Sequence, residues 1–281
     1  MDVVRSSSAR AWLGEAEAFL REREAESSLP LGLAMAARDS ADGGAATIGW
    51  TAREAGGIAG CAFLPSSGVL LVSHATEEEA ADAIARAVAG CGDAGVKGAV
   101  VPEPIAERVA RAYCECGGAS WRRHWTLILH RLGEVIHPAA VAGRSRPATR
   151  ADVEVVAPWL EAFGRDTGAL VRPADPRAQA ERVIGEGRAF LHEDAGTPVA
   201  LAGWSRPTGR TCSINMVYTP TESRRRGYAR ALTAHLAREL AARGTEEILL
   251  FTNEAEPGPN ALYRSLGFAP IARFVEVAFE A

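Results

Sequence analysis

The feature that most constrains this chain is an order of elements that occurs twice. In the second half, residues 151–163 and 175–185 have helical spacing, with Val155, Val156, Trp159 and Leu160 on one face of the first. "AFLHED" and "VALAGWS" follow as strands across the tight turn "AGTP". "TCSINMVYT" is a third strand, and a helix then runs to about Ala242, with Leu232, Leu236 and Leu240 on its apolar stripe and Gly244 as its stop. "EEILLFT" is a buried strand, "PNALYRSLG" a short helix and "ARFVEVAF" a last alternating strand. The first half runs through the same order more faintly. Helices over 10–24 and about 28–37 precede the strands "ATIGWTA", "IAGCAFL" and "GVLLVS". A helix over 77–90, strand "VKGAVV", helix over 103–116 and strand "WRRHWTLILHR" complete it. Each copy also places a tyrosine four residues before a glycine: Tyr113 with Gly117, and Tyr263 with Gly267. One such pair is only a capped helix end; the whole order repeated reads as an internal duplication of an α/β unit.

Between the copies, "HPAAVAGRSRPATRAD" is rich in Pro, Ala, Gly and Arg and reads as a linker or extended strand. The expected division is a first domain over 1–136, a linker over 137–149 and a second domain over 150–281. A length of 281 residues suits two domains of ordinary size. The 47% hydrophobic and 23% charged content is that of a soluble globular chain. Net charge is −4, which argues against nucleic acid as the main partner. The five cysteines are odd in number and lack the paired spacing of a zinc site, so no metal is expected and a reduced, cytoplasmic compartment fits. "MDVVRSSSARAWLGEAEAFLRERE" mixes charge and apolar residues at helical spacing, without the apolar core of a signal peptide or membrane span.

The chemistry concentrates at one strand-to-helix step, "YTPTESRRRGYARAL". Three arginines alone usually mark a solvated helix end. Here Arg224, Gly227 and Ala229 satisfy Arg-x-x-Gly-x-Ala at a helix start, where unpaired N–H groups and a partial positive charge suit a pyrophosphate. Glycine removes the Cβ that would block close approach, and arginine adds long-range attraction. The loop has neither the Gly-Lys-Ser/Thr of a Walker P-loop nor the Gly-x-Gly-x-x-Gly of a dinucleotide fold.

With "LLFTNEAEPGPNALYRSLGF" (249–268), this step resembles the GCN5-related N-acetyltransferases, the GNAT superfamily, and in particular its FR47-like branch. The resemblance covers roughly 146–281, and the first half looks like a degenerate GNAT-like domain. It implies an α/β (α+β) fold of two tandem GNAT-like domains, each a mixed, mostly antiparallel twisted sheet flanked by helices. It implies transfer of an acetyl or small acyl group from acetyl-CoA to a primary amine, most simply a small molecule, by direct attack. Main-chain groups of Met216, Val217, Tyr218 and Thr219 would hold the pantetheine arm as an added strand. Arg224, Arg225, Arg226, Gly227, Tyr228, Ala229 and Arg230 would form the pyrophosphate cradle, and Asn253 and Asn260 would contact pantetheine or the adenosine side. Tyr263 would be the catalytic acid beside the sulfur, with the Val217 N–H steadying the thioester oxygen.

Strand "SINMVYT" has no Glu or Asp, so the general base stays open among Glu161, Asp166, His192 and Glu193, or water. That gap keeps a second reading alive: a catalytically silent, CoA-responsive binding or regulatory protein. In the first half, Glu77, Glu78 and Glu79 stand where the arginines stand in the second, and no glycine follows them. Carboxylates there would repel a pyrophosphate, so this half is expected to bind no CoA.

Overall fold

Local capping chemistry sets several helix starts. Ser8 Oγ accepts from the Ala11 N–H at 3.2 Å, and Asp175 Oδ1 accepts from the Ala178 N–H at 2.9 Å with Pro176 following at the first helical position. The computed structural model describes residues 1–92, 95–138, 140–168, 170 and 174–280. In chain order the first ten elements are β1 (Asp2–Ser6), α1 (Ala9–Glu22), α2 (Ser28–Arg38), β2 (Ile48–Glu54), β3 (Gly57–Leu64), β4 (Val69–Ala75), α3 (Glu78–Ala89), β5 (Gly98–Pro102), α4 (Glu103–Gly117) and β6 (Ser120–Leu132). They are followed by β7 (Arg144–Pro147), α5 (Val153–Asp166), α6 (Pro176–Gly185), β8 (Ala189–Asp194), β9 (Thr197–Ser205), β10 (Thr211–Tyr218), α7 (Tyr228–Ala242), β11 (Glu247–Asn253), α8 (Pro257–Arg264) and β12 (Phe268–Glu280). The chain is α/β, and its sheets are mixed and mostly antiparallel.

Two compact units emerge, neither contiguous in sequence. Unit 1 contains residues 1–129, 252–256 and 270 onward; unit 2 contains 130–251 and 257–269. In unit 1 the strand order is β1-β2-β3-β4-β5-β12-β6. From β1 to β12, β4 and β5 run parallel and the other pairs are antiparallel. In unit 2 the order is β7-β8-β9-β10-β11, again antiparallel except for the final pair, β10 with β11. The repeated order in the sequence is thus a repeated strand topology. The last strand joins unit 1, pairing Phe274 with Pro102 and Val277 with Ala99. Alternation alone marks β12 as a strand but is silent on which free edge it fills.

Each sheet buries both faces. In unit 1, Trp50, Leu70, Val72, Val101, Val275 and Val277 pack with Ile84, Val88 and Val109 of α3 and α4. On the other face Trp12 of α1 stacks on Phe63 at 5.0 Å. In unit 2, Phe190, Ala202 and Ile214 meet Leu232, Leu236 and Leu240 of α7, while Leu191, Leu201 and Met216 meet Val156, Leu160, Val183 and Ile184 of α5 and α6. Phe190 and Leu191 are neighbours in sequence on opposite faces, as a period of two requires. Each fully buried side chain of this size contributes about 1.5–3 kcal/mol.

One strand differs from the reading by spacing, and one of two alternatives is decided. The N-terminal stretch is not helical throughout: "DVVRS" is β1, paired with β2 from Asp2 with Arg53 to Ser6 with Gly49. Its β-branched Val3 and Val4 are too few to show alternation, and Ser8 then caps α1. The extended stretch in the linker is the edge strand β7, held to β8 by Arg144 with Glu193 through Pro147 with Phe190. Arg146 ties it down, bonding Asp152 at 2.7 Å and Glu193 at 2.6 Å.

Candidate active site

The site in unit 2 begins with a defect in β10. Ser213, Ile214 and Asn215 pair in regular antiparallel register with β9, but the next pairing is Tyr218 with Leu201. Met216 sits inside this bulge with φ +51°, in the left-handed region that a non-glycine side chain avoids. The bulge reverses the alternation. Ile214 belongs to the α7 core, whereas Met216 joins the α5/α6 core and Val217 packs back against the α7 side. On its other edge β10 pairs with β11 only over Thr211–Ser213, although β10 continues to Tyr218. Beyond Ser213 the strand therefore leaves its parallel neighbour, and its main-chain groups at Met216 and Val217 become available to an extended ligand.

Residues 219–227 carry the chain from the end of β10 into α7. Arg224 closes the first part of this loop: its Nε donates to the Thr219 carbonyl at 2.9 Å, its Nη2 to Asp166 Oδ2 at 2.9 Å, and its guanidinium lies 5.9 Å from the Tyr218 ring centre. Arg224 is thus a clasp on the loop, while Arg225 supplies a second left-handed residue, φ +63°. Gly227 is the N-cap of α7 with φ +86° and no side-chain cap. A Cβ there would also sit 3.2 Å from Val141 Cγ2, a tight contact, while the left-handed conformation itself favours glycine. The first helical bond runs from the Ala231 N–H to the Gly227 carbonyl at 3.0 Å, which leaves the N–H groups of Tyr228, Ala229 and Arg230 ahead of the ladder. The first turn has no acidic residue. An uncapped helix start of this kind is an anion site.

Tyr228 anchors that start from behind. Its ring is 4% exposed, its hydroxyl donates to Asp194, and Arg226 Nη1 approaches the same oxygen at 3.5 Å. Tyr263 lies on α8 in the same hydrophobic cluster as Tyr228, with Val217 packed against it; burial pushes its phenol well above the ordinary value. Gly267 follows at φ +94°, where a Cβ would strike the Glu134 carbonyl. The close approach is fixed by Gly133 N–H donating to the Gly267 carbonyl at 3.0 Å.

The remaining sequence candidates divide. Asn260 is buried and hydrogen-bonds the His130 side chain, which places it in the core of unit 2. Asn253 lies at the end of β11 in the segment grouped with unit 1, where its Oδ1 accepts from the Ala255 N–H at 3.1 Å. Three base candidates are committed elsewhere. Asp166 pairs with Arg224. His192 donates from Nε2 to the Ala142 carbonyl at 2.9 Å, so its Nδ1 accepts from the Ser145 hydroxyl at 3.0 Å and no ring nitrogen is spare. Glu193 is held by Arg146 and Arg144, which lower its pKa. Glu161 is exposed on α5. Spacing could not reveal these commitments, because every partner comes from another element or from the linker.

In unit 1 the equivalent step is built differently. Only Thr76 and Glu77 separate β4 from α3, and both the Thr76 N–H and its hydroxyl bond the Ala59 carbonyl. Glu78 bonds Arg108 of α4, which also grips Asp82 through two contacts of 2.8 and 2.9 Å. The charged depression between α3 and α4 is lined in part by Glu78, Asp82, Arg86 and Arg108. Among the described residues no group of His, Cys, Asp and Glu could hold a metal, and no helix is long and apolar enough to cross a membrane.

In unit 2, a bulged strand that leaves its parallel neighbour thus feeds an uncapped glycine helix start. Residues 156–268 match the acetyltransferase (GNAT) family. A GCN5-related N-acetyltransferase from Sphaerobacter thermophilus has a similar fold over 99% of this chain and 95% of its own, at 16% identity and a TM-score of 0.64. One from Kribbella flavida covers 78% and 86% at 18% identity and a TM-score of 0.55. A tandem GNAT protein from the clavulanic acid biosynthesis pathway covers 83% and 82% at 14% identity and a TM-score of 0.51. At these identities the likeness is one of fold, and it spans both halves. Among curated proteins, none matches this chain.

Proposed function

We propose that the chain transfers an acetyl or small acyl group from acetyl-CoA to a primary amine by direct attack, with one active site in the second half. The carrying observation is the uncapped, left-handed Gly227 start of α7 immediately after the β10 bulge. Acetyl-CoA would supply an acyl group already activated as a thioester. The N–H groups of Arg225, Arg226, Gly227, Ala229 and Arg230 would receive its pyrophosphate, with Arg224 holding the loop in shape. Main-chain groups from Met216 to Thr219 would align the pantetheine, and the Val217 N–H would polarise the thioester carbonyl. Tyr263 would hold its proton across neutral pH and direct it at the departing sulfur; burial raises its pKa and makes it a weaker acid until a thiolate develops beside it. Asn253 and Asn260 would act at the edges of the donor, Asn260 through its place in the core.

In this reading the domains are 1–136, without a CoA site, and 150–281, with the linker 137–149 between them. The acceptor would be a small-molecule amine in the cytoplasm, and the attacking amine would lose its proton to water or to Glu161, since the other candidates are engaged. The tied carboxylates are also what favours the second reading, a CoA-responsive regulator that has lost transfer. Thiol release from acetyl-CoA over a panel of amines separates the two: turnover with any amine supports the enzyme, and CoA binding without turnover on the whole panel supports the regulator. Tyr263→Phe should lower kcat by at least about 10-fold with the acetyl-CoA KM little changed, and an unchanged kcat removes Tyr263 from the acid role.

A further inference from the structure

The start of α7 has no side-chain cap, as is also true of α2, α3, α4 and α5. Ser8 and Asp175 cap α1 and α6 with side-chain oxygens, each satisfying one free N–H. A cap of that kind at α7 would occupy an N–H group that the proposed donor would use. Gly227 offers none and adds conformational freedom of its own. A bond from a side chain of the first turn can hold this start without occupying those groups.

We propose that Asp194 is a positioning residue for the acyl-donor cradle, acting through Tyr228. The inference rests on the reading of residues 225–230 as the donor site. Asp194 ends β8, and the β8–β9 turn that follows takes Ala195 and Gly196 through left-handed conformations, φ +49° and +79°. Its carboxylate accepts a hydrogen bond from the hydroxyl of Tyr228, the first residue of α7. A charge-assisted bond to a carboxylate is about twice as strong as a neutral one. It therefore pins the helix start to the sheet from the core side and leaves the front N–H groups free.

Two further contacts fix the same point. The His192 ring lies 5.3 Å from the Tyr228 ring and is itself locked by Ser145 and the Ala142 carbonyl. Val141 of the same linker segment packs where a side chain at Gly227 would go. Arg226 reaches toward the Tyr228 oxygen, so the Asp194–Tyr228 bond also sets where one cradle arginine starts from. Each residue satisfies a role the next requires: the linker locks His192, His192 and Asp194 fix Tyr228, and Tyr228 fixes the N–H array.

The test uses the full chain and CoA as the probe in calorimetry. Asp194→Asn and Tyr228→Phe should each raise the CoA Kd by about 10-fold, which corresponds to about 1.4 kcal/mol. The double variant should bind no more weakly than either single one, because both remove one bond. Asp194→Glu should recover part of the affinity. Leu240→Ala, at the far end of α7, removes core packing and should lower the melting temperature without moving the Kd. A Kd within about 2-fold of the parent in both single variants overturns the proposal while leaving the cradle in place. A Leu240→Ala Kd raised as much as that of Asp194→Asn overturns it too, since general loosening would then suffice. Failure of the unchanged protein to bind CoA removes the donor-site reading and this inference with it.

Discussion

The two strand-to-helix steps of this molecule stand at the same place in the same strand order and do opposite things. In unit 1, β4 turns into α3 through Thr76 and Glu77 alone, and the helix begins with glutamates that bind across to α4. In unit 2, residues 219–227 are paid out between β10 and α7, and the helix begins bare. Charge is the visible difference in sequence, but loop length and backbone conformation are what build an N–H array. The halves also treat buried carboxyls differently. Glu276 of unit 1 is 8% exposed with its pKa pushed up to about 7 by burial. Asp152 of unit 2, 7% exposed, is held down at about 2, chiefly by the Arg146 guanidinium.

The second contrast gives the largest expected effects, and they have opposite signs. A carboxyl whose folded pKa is raised costs nothing below its unfolded value near 4.5 and destabilises the native state as pH rises through 7. Glu276→Gln should therefore stabilise the protein at pH 8, by up to about 3 kcal/mol, and change little at pH 4. Asp152 is the reverse: its contribution is complete above pH 4 and is lost as pH falls toward 2. Asp152→Asn should cost about 2 kcal/mol at pH 7 and almost nothing near pH 2. Urea denaturation at the paired pH values reads both, and two changes of the same sign at neutral pH would break the contrast.

The first contrast predicts smaller changes in binding. Gly227→Ala strains a left-handed position by about 1–2 kcal/mol and should raise the CoA Kd about 10-fold. An unaltered Kd would mean that the glycine serves Val141 packing and not the donor. The smallest effect sharpens the comparison most. Glu77→Arg with Glu79→Arg supplies the basic charge that unit 1 lacks while sparing the Glu78–Arg108 pair. Calorimetry should still give one CoA per chain, because the two-residue step has no loop to form a cradle. A second CoA would show that charge alone had separated the halves.

Much of this architecture is legible without coordinates, and the reasons are local. The apolar stripe of α7, Leu232, Leu236 and Leu240, and the alternation of "VALAGWS" each specify an element within a few residues. Gly227 after three arginines stands out in the sequence because few segments combine a helix start, a glycine and basic charge. β1 was hidden, since two valines cannot display a period of two. The engagements of Asp166, His192 and Glu193 were hidden as well. Their partners include Arg224, the Ala142 carbonyl and Arg146, which lie far along the chain or in a segment with no pattern of its own.

The sequence by itself determined the order of elements, the duplication and the place of the glycine helix start, because periodicity, capping and turn chemistry act over neighbouring residues. Only the tertiary structure decided that β12 closes unit 1, that the bulge turns Met216 and Val217 to opposite faces, and that Asp194 reaches Tyr228. Those outcomes depend on which free edge a strand fills and which side chains meet across a sheet. No local rule carries that information, since every alternating strand offers the same two faces until packing chooses between them.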